Sequence, residues 1–340
     1  MSTLSALSFR RISAIYVWIA IIVVFALWTP DTFLTTTTLK TLLSEQAITA
    51  ILAVGLTVPL AAAAFDLSVG FTLGLSSIMV AWLIGAHGMG TVGAILLALL
   101  TGVVVGAVNG VLINQFRIDS FIATLGVGSC VLAMIRWTSG DLTIIGLSPD
   151  FERIAGDQIF GISLPVYYVL VLGIVLWYVL EHTPAGRYVY ATGGNLEAAR
   201  LSGVRTKLVI FVSLVVAGLV AAFAGILLAS SSASASPSVG PAYLLPAFAA
   251  VFLGSTQIKP GRFNIWGTIL AVYVLATGVK GLQLVGAPFW IPDLFNGVAL
   301  LLAVGLSKNE ALWWSRWRLR RAASTQVENN PEHPTGGTNR

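Results

Sequence analysis

The sequence predicts an all-α polytopic membrane protein of about ten transmembrane helices, and three observations predict it. Charged residues make up only 10% of the 340 positions, where soluble domains carry about a quarter. Hydrophobic residues make up 56%, and the mean hydropathy is +0.88. Uncharged runs outlast a single crossing: Leu67 to Phe116 holds no charge, and its roughly 50 residues would make a helix of about 75 Å against a hydrocarbon core of about 30 Å. A soluble enzyme would need far more charged surface. Disorder is excluded outside the last part of the chain, because Leu, Ile, Val and Ala dominate the rest. The single cysteine, Cys130, sits in an apolar run and reads as a buried small hydrophobe.

The elements follow in order. Ile12 to Trp28 is a first span after Arg10 and Arg11, and Phe25-Ala26-Leu27-Trp28 lacks a signal-peptide cleavage pattern, so an uncleaved helix is expected. Gly85-Ala-His-Gly-Met-Gly90 divides the long uncharged run, and Ser230 to Pro241, rich in serine, divides a second run from Leu208 to Ile258. Helices are expected near 12–28, 46–64, 67–86, 91–114, 120–138, 164–180, 208–230, 243–257, 264–280 and 290–306. An even number of crossings returns both termini to one side.

Charge sets which side. With the amino terminus in the cytoplasm, Lys40, Arg136, Arg153 and Lys280 are the only basic residues outside, and the other basic residues fall inside. The net charge of +5 is therefore a topology signal, and nucleic-acid binding is not expected. Residues 1–306 form the predicted transmembrane domain, with 181–207 as its long cytoplasmic loop. Residues 307–321 mix Trp313, Trp314 and Trp317 with four arginines, as expected of a segment lying at an anionic bilayer surface, and 322–340 read as a disordered cytoplasmic tail.

No constellation for covalent chemistry is found. His87, His182 and His333 have no ligand partners at metal spacing. No lysine follows a glycine, so no phosphate-binding loop exists, and any ATP would be hydrolysed by another chain. No cofactor is expected on this one.

The longest predicted cytoplasmic connection, Glu181 to Lys207, contains a short helix with both end signals. Asn195 can cap it after a Gly193-Gly194 turn, Glu197 suits the positive end of its dipole, and Gly203 supplies a left-handed stop. Leu196, Ala199 and Leu201 offer an apolar face. A helix of about two turns is marginal alone in water; it either docks a partner or rests on the bilayer and its own loops.

The stretch Pro184-Ala-Gly-Arg-Tyr-Val-Tyr-Ala-Thr-Gly-Gly-Asn-Leu-Glu-Ala-Ala-Arg-Leu-Ser-Gly-Val204 resembles the coupling loop of the ribose-type, monosaccharide-uptake family of ABC transporter permeases. Phe65-Asp-Leu-Ser-Val-Gly70, Gly102-x3-Gly106-x2-Asn109-Gly110, Phe121-Ile-Ala-Thr-Leu-Gly126 and the Gly254 to Gly267 segment with Pro260-Gly261-Arg262 match in the same order, over roughly residues 10 to 306. The resemblance implies a permease working as a dimer, with a cytoplasmic ABC ATPase and an extracytoplasmic sugar-binding protein. It places Gly193, Gly194, Asn195, Glu197, Ala198, Ala199, Arg200 and Gly203 in contact with that ATPase. The chain departs from the family at Tyr243-Leu-Leu-Pro246, where many relatives carry a glutamate and an aspartate, and at Ser255, where a second glycine is usual. Those departures put ribose itself in doubt as cargo.

Candidates for a solute pathway are Asp66, Ser68, Asn109, Asn114 and Thr124. Gln46 to Ala86 is short for two crossings, with Pro59 and Gly70 interrupting, so Asp66 is either an intramembrane carboxylate in a broken helix or a surface cap of the next one. Leu67-Ser-Val-Gly70 is echoed by Pro237-Ser-Val-Gly240, the first expected inside and the second outside, as an inverted repeat requires. Gly102, Gly106 and Gly110 share one helix face and suit close packing. Asn109 and Asn114 either bond across helices or line a polar route. An importer permease for a small sugar or polyol is the first expectation; an ion-gradient-driven secondary carrier is the alternative.

Overall fold

The computed structural model describes residues 13–305, so Arg10, Arg11, the 307–321 segment and the 322–340 tail lie outside the described residues. It is 78% helical. Among the described residues seven helices are long and apolar enough to cross a membrane, and three shorter ones are apolar. They are α1 (Ser13–Trp28), α3 (Thr36–Ala61), α4 (Val69–Ala81, continued as a π-helical turn Trp82–Ala86), α5 (Thr91–Asn114), α6 (Ser120–Ser139), α8 (Leu164–His182), α11 (Thr206–Ser232), the 3-10 turn Gly240–Tyr243 running into α12 (Leu244–Ser255), α13 (Ile265–Leu284) and α14 (Ile291–Gly305). A four-residue α2 (Pro30–Phe33), an extramembrane α7 (Pro149–Gly156) and the loop helices α9 (Pro184–Gly194) and α10 (Leu196–Leu201) complete the helices described.

The second crossing begins ten residues earlier than the charge pattern predicts. Thr35 caps α3 by accepting from the Thr38 amide at 3.1 Å. The charges that argued against helix there sit on its outer turns, where Lys280 Nζ pairs with Glu45 at 3.1 Å. With 26 residues α3 is a full crossing, so the shortage of chain that suggested a broken helix does not exist. The break is real for another reason: after Pro59 the helix ends, Ala63 turns left-handed at φ 58°, and α4 starts only at Val69.

This break has a counterpart. After α11 the chain turns through Ala233 at φ 50° and re-enters a helical turn at Gly240. Ala63 and Ala233 are 170 residues apart, as are Gly70 and Gly240, and Gly88 and Ile258, both with positive φ. A left-handed backbone costs a residue with a Cβ roughly 1–2 kcal/mol, so two alanines taking it at matching positions mark one backbone design used twice. The two copies run in opposite directions: α3 ends beside α9, whereas α11 begins beside α10 and ends against α7. The echoing motifs do not lie on opposite surfaces, as the sequence suggested. Gly70 and Gly240 pack on each other, and a Cβ on either would press the carbonyl of the other. Both motifs re-enter the bundle, which is why they meet.

At the centre, α11 packs against α3, α4 and α5. At the end of the bundle away from the 181–207 loop, Ile144–Ile145 (β1) pairs antiparallel with Ser234–Ala235 (β4). Next to it lies α7, which the acidic composition of that loop concealed. Its Phe151 is fully buried, and Ser230 Oγ donates to the Phe151 carbonyl at 2.7 Å while accepting from the Ala155 amide at 2.9 Å. A small hairpin, Gln158–Ile159 (β2) with Ile162–Ser163 (β3), turns through Phe160 and Gly161, both at positive φ. Cys130, expected inside, is exposed on α6. Facing lipid costs an apolar side chain nothing, so hydrophobicity alone does not sort a span's inner from its outer face.

Candidate functional site

The loop from Glu181 to Lys207 is built on the basic end of the bundle. Lys259 Nζ reaches Glu181 at 2.6 Å, Arg262 lies 3.7 Å from the same carboxylate, and the Arg262 guanidinium stacks 3.5 Å above the Tyr190 ring. The 256–264 turn and the loop therefore share one end, opposite to Lys280 and Glu45. Tyr190 donates to the Phe263 carbonyl at 2.8 Å. Burial raises its phenol above the usual range, and the Arg262 charge pulls the other way.

Within the loop, Gly193 and Gly194 end α9 as helix, rather than forming a separate turn. A Cβ on Gly193 would strike the Ala61 carbonyl, so the loop's backbone rests directly on the end of α3. Asn195 caps α10, its Oδ1 accepting from the Ala198 amide at 2.9 Å, and Gly203 takes φ 85° after it. Glu197 and Arg200 pair at 2.6 Å on the exposed side. Ala199 does not share the outward face predicted for it: it is turned inward and buried, because the short helix needs an anchor on α9 and α11, while Leu196 and Leu201 remain exposed.

Four of the five pathway candidates come together at the first break. Asp66 Oδ1 accepts from the Ser68 amide at 3.0 Å and from Ser68 Oγ at 2.6 Å, so Asp66 does form a cap-like turn. It is fully buried, however, not at the surface. Asn109 Nδ2 donates to Ser68 Oγ at 2.8 Å, and Thr124 Oγ1 accepts from the Leu67 amide at 3.0 Å. Asp66, Ser68, Asn109 and Thr124 are at most 1% exposed, and only Asp66 Oδ2 and Asn109 Oδ1 lack partners. This cluster is a sealed joint among α4, α5 and α6. Asn114 is elsewhere, tying α5 to α11 by donating to the Lys207 carbonyl at 2.9 Å. Gly102, Gly106 and Gly110 press on α11 at Gly218, Leu214 and Phe211.

Sequence reasoning missed the buried Thr57–Thr268 hydrogen bond of 3.1 Å between α3 and α13. It also missed an open polar cavity beside α3, because neither carries a charge or motif.

A helical bundle with an inverted repeat, a basic end and a capped helix presented from that end defines a multi-pass membrane permease. The chain belongs to the family described as branched-chain amino acid transport system, permease component, whose model matches residues 38–304. It is similar to the ribose import permease protein of Escherichia coli K12, 33% identical over 280 residues that cover 80% of this chain and 86% of that one. The ribose import permease protein of Bacillus subtilis is 34% identical over 281 residues, covering 82% and 87%. The D-allose transport system permease protein of Escherichia coli K12 is 27% identical over 303 residues, covering 89% and 93%. No solved structure matches the chain. Within its family the chain is a ribose-type ABC permease, a multi-pass protein of the bacterial plasma (inner) membrane.

Proposed function

We propose that this chain is the membrane-spanning subunit of an ABC importer carrying a small sugar, a monosaccharide or polyol, into the cytoplasm. A separate cytoplasmic ATPase energises it, an extracytoplasmic binding protein delivers cargo, and a second permease chain, identical or different, completes the route. The chain performs no covalent chemistry. Its work is alternating access: it must interact differently with cargo in its two states.

One observation carries this reading. The capped α10 presents Leu196, Leu201 and Glu197 outward, while Gly193 just before it bears on the Ala61 carbonyl where α3 ends and the first break begins. A push on α10 by a closing ATPase reaches that break through backbone contact, with no flexible side chain to absorb it. The Asp66 cluster beyond the break is the rigid joint through which α4 to α6 follow. An ion-driven carrier would instead use a carboxylate open to ions, and Asp66 is closed in.

The test is charge reversal on α10. The Glu197–Arg200 pair is exposed, and such pairs contribute little to stability, so Glu197→Lys leaves insertion and folding intact. In cells co-expressing the full-length chain with its ATPase, the variant is expected to reach the membrane at normal level and to lose co-purification of the ATPase. Normal co-purification removes Glu197 from the coupling role.

A further inference from the structure

We infer that the open polar cavity beside α3 is where the carried solute touches this chain, and that it selects a neutral, hydroxyl-bearing solute. This inference rests on the permease reading above. The cavity measures about 260 Å³ and lies among α3, the 3-10 turn with the start of α12, α13 and α14. Pockets for drug-sized ligands start at about 300 Å³, so the space suits something smaller.

Its polar groups come from separate elements: Gln46 and Thr49 on α3, Tyr243 at the second break and Asn296 on α14. Their hydrogen bonding differs from that of most threonines within the helices, Thr192 being another exception. Thr57, Thr72, Thr124, Thr268 and Thr277, also within helices, each donate to the carbonyl four residues before. Thr49 is only 6% exposed and makes no hydrogen bond among the described residues; nor do the side chains of Gln46, Tyr243 or Asn296. Buried polar groups are as a rule paired. Thr49 is the buried one, and Gln46, Tyr243 and Asn296 are half-buried; four polar groups around one open space, with no partner among the described residues, leave it free to bond a solute that arrives and leaves.

The chemistry of the lining selects that partner. The two amides and two hydroxyls both donate and accept, matching a solute whose hydroxyls do the same. None of the four carries a charge at neutral pH, so an anion or cation would enter without a counter-charge. The remaining wall, including Val239 and Val272, is aliphatic and suits the C–H faces of a sugar ring or polyol. The ion pair Glu45–Lys280 bridges α3 and α13 one residue beyond lining positions Gln46 and Val279, with its charges paired to each other.

The experiment uses the full-length chain with its ATPase and binding protein, in a Cys130→Ser background so that this chain carries no other thiol, and labelling is read on this chain alone. Thr49→Cys and Asn296→Cys are exposed to a water-borne methanethiosulfonate reagent, with and without D-ribose or D-allose; Thr57→Cys, fully buried and bonded to Thr268, is the control. Both cavity positions are expected to label, the control to stay unlabelled, and the transported sugar to slow labelling at both. In parallel, Thr49→Val, which removes no bond within the protein, is expected to slow sugar uptake about tenfold, the equivalent of one hydrogen bond of ordinary strength. Its membrane level and ATPase binding are expected to stay normal. Absence of labelling shows a dry or lipid-filled space and overturns the assignment. If the unaltered chain carries the sugar, but labelling is unslowed and Thr49→Val carries it equally fast, the cavity assignment falls and the transport reading stands. If the unaltered chain carries neither D-ribose nor D-allose nor any other of a panel of neutral monosaccharides and polyols, the transport reading falls and takes the assignment with it.

Discussion

After α3 the chain leaves its helix through Ala63 and re-enters one at Val69; after α11 it leaves through Ala233 and re-enters at Gly240. The backbones correspond, but the contents differ. The first break holds Asp66, locked by Ser68 and closed over by Asn109 and Thr124. At the matching position the second holds Ser236, partly exposed, with its hydroxyl 3.3 Å from that of Ser238. The first break abuts the 181–207 loop through Ala61 and Gly193, whereas the second leads through Val239 and Tyr243 into the open cavity. A repeated backbone thus supplies two interruptions that side chains fill differently: the Asp66 cluster is sealed, although Ala63 and Phe65 of the same break line a cavity of about 440 Å³ against the 181–207 loop, while the second break borders the cavity proposed to meet solute.

The comparison breaks most readily where the two halves meet. Gly240→Ala is expected to cost about 3 kcal/mol, the upper part of the usual range for overpacking, because the added carbon runs into the Gly70 carbonyl. Gly70→Ala should cost less, since its carbon would lie 3.0 Å from the Gly240 carbonyl and otherwise meet the flexible Leu244 side chain. Thermal unfolding of the two full-length variants in detergent measures the difference. Equal midpoints would show that the interface is not tightest where Gly240 faces Gly70.

The next effect separates the plugged break from the open one. Asn109→Leu withdraws the donor that caps Ser68 Oγ beside Asp66 and is expected to cost about 2 kcal/mol, the penalty of leaving buried polar groups unpaired. A smaller change tests the shared backbone. Ala63→Gly and Ala233→Gly relieve left-handed strain and should each stabilise by about 1 kcal/mol, the strain relieved less the extra freedom glycine gains in the unfolded chain. A gain at only one of them would undo the correspondence of the two breaks. Last, Ser236→Ala at the open break should stay within about 0.5 kcal/mol, as surface-like substitutions do; a loss matching that of Asn109→Leu would show that the second break is sealed too.

Much of this was legible beforehand. The ten apolar segments followed from runs without charge, and the basic residues sorted Lys259, Arg262 and the 181–207 loop to one end, where Glu181 joins them. The cap at Asn195 and the stop at Gly203 were local signals with local causes. What stayed hidden depends on partners distant in sequence. Residues 36–45 look too polar to begin a crossing until Lys280 is seen beside Glu45. In sequence Asp66 fits an intramembrane acid or a surface cap; it makes the cap's hydrogen bonds in a buried place, and only Asn109 and Thr124 folding over it show that. Most of the cavity could not be read, because Gln46, Thr49 and Asn296 belong to no motif. Tyr243 and Pro246, in the segment expected from sequence to depart from the family's pattern, line that same cavity.

The most direct measurement of the whole account is transport by the purified, full-length chain in sealed proteoliposomes, with its binding protein outside and labelled D-ribose and D-allose as probes. The predicted result is accumulation that requires both the ATPase and ATP and is unaffected by collapsing proton and sodium gradients. Accumulation by the permease alone, driven by an ion gradient without ATP, would contradict the account.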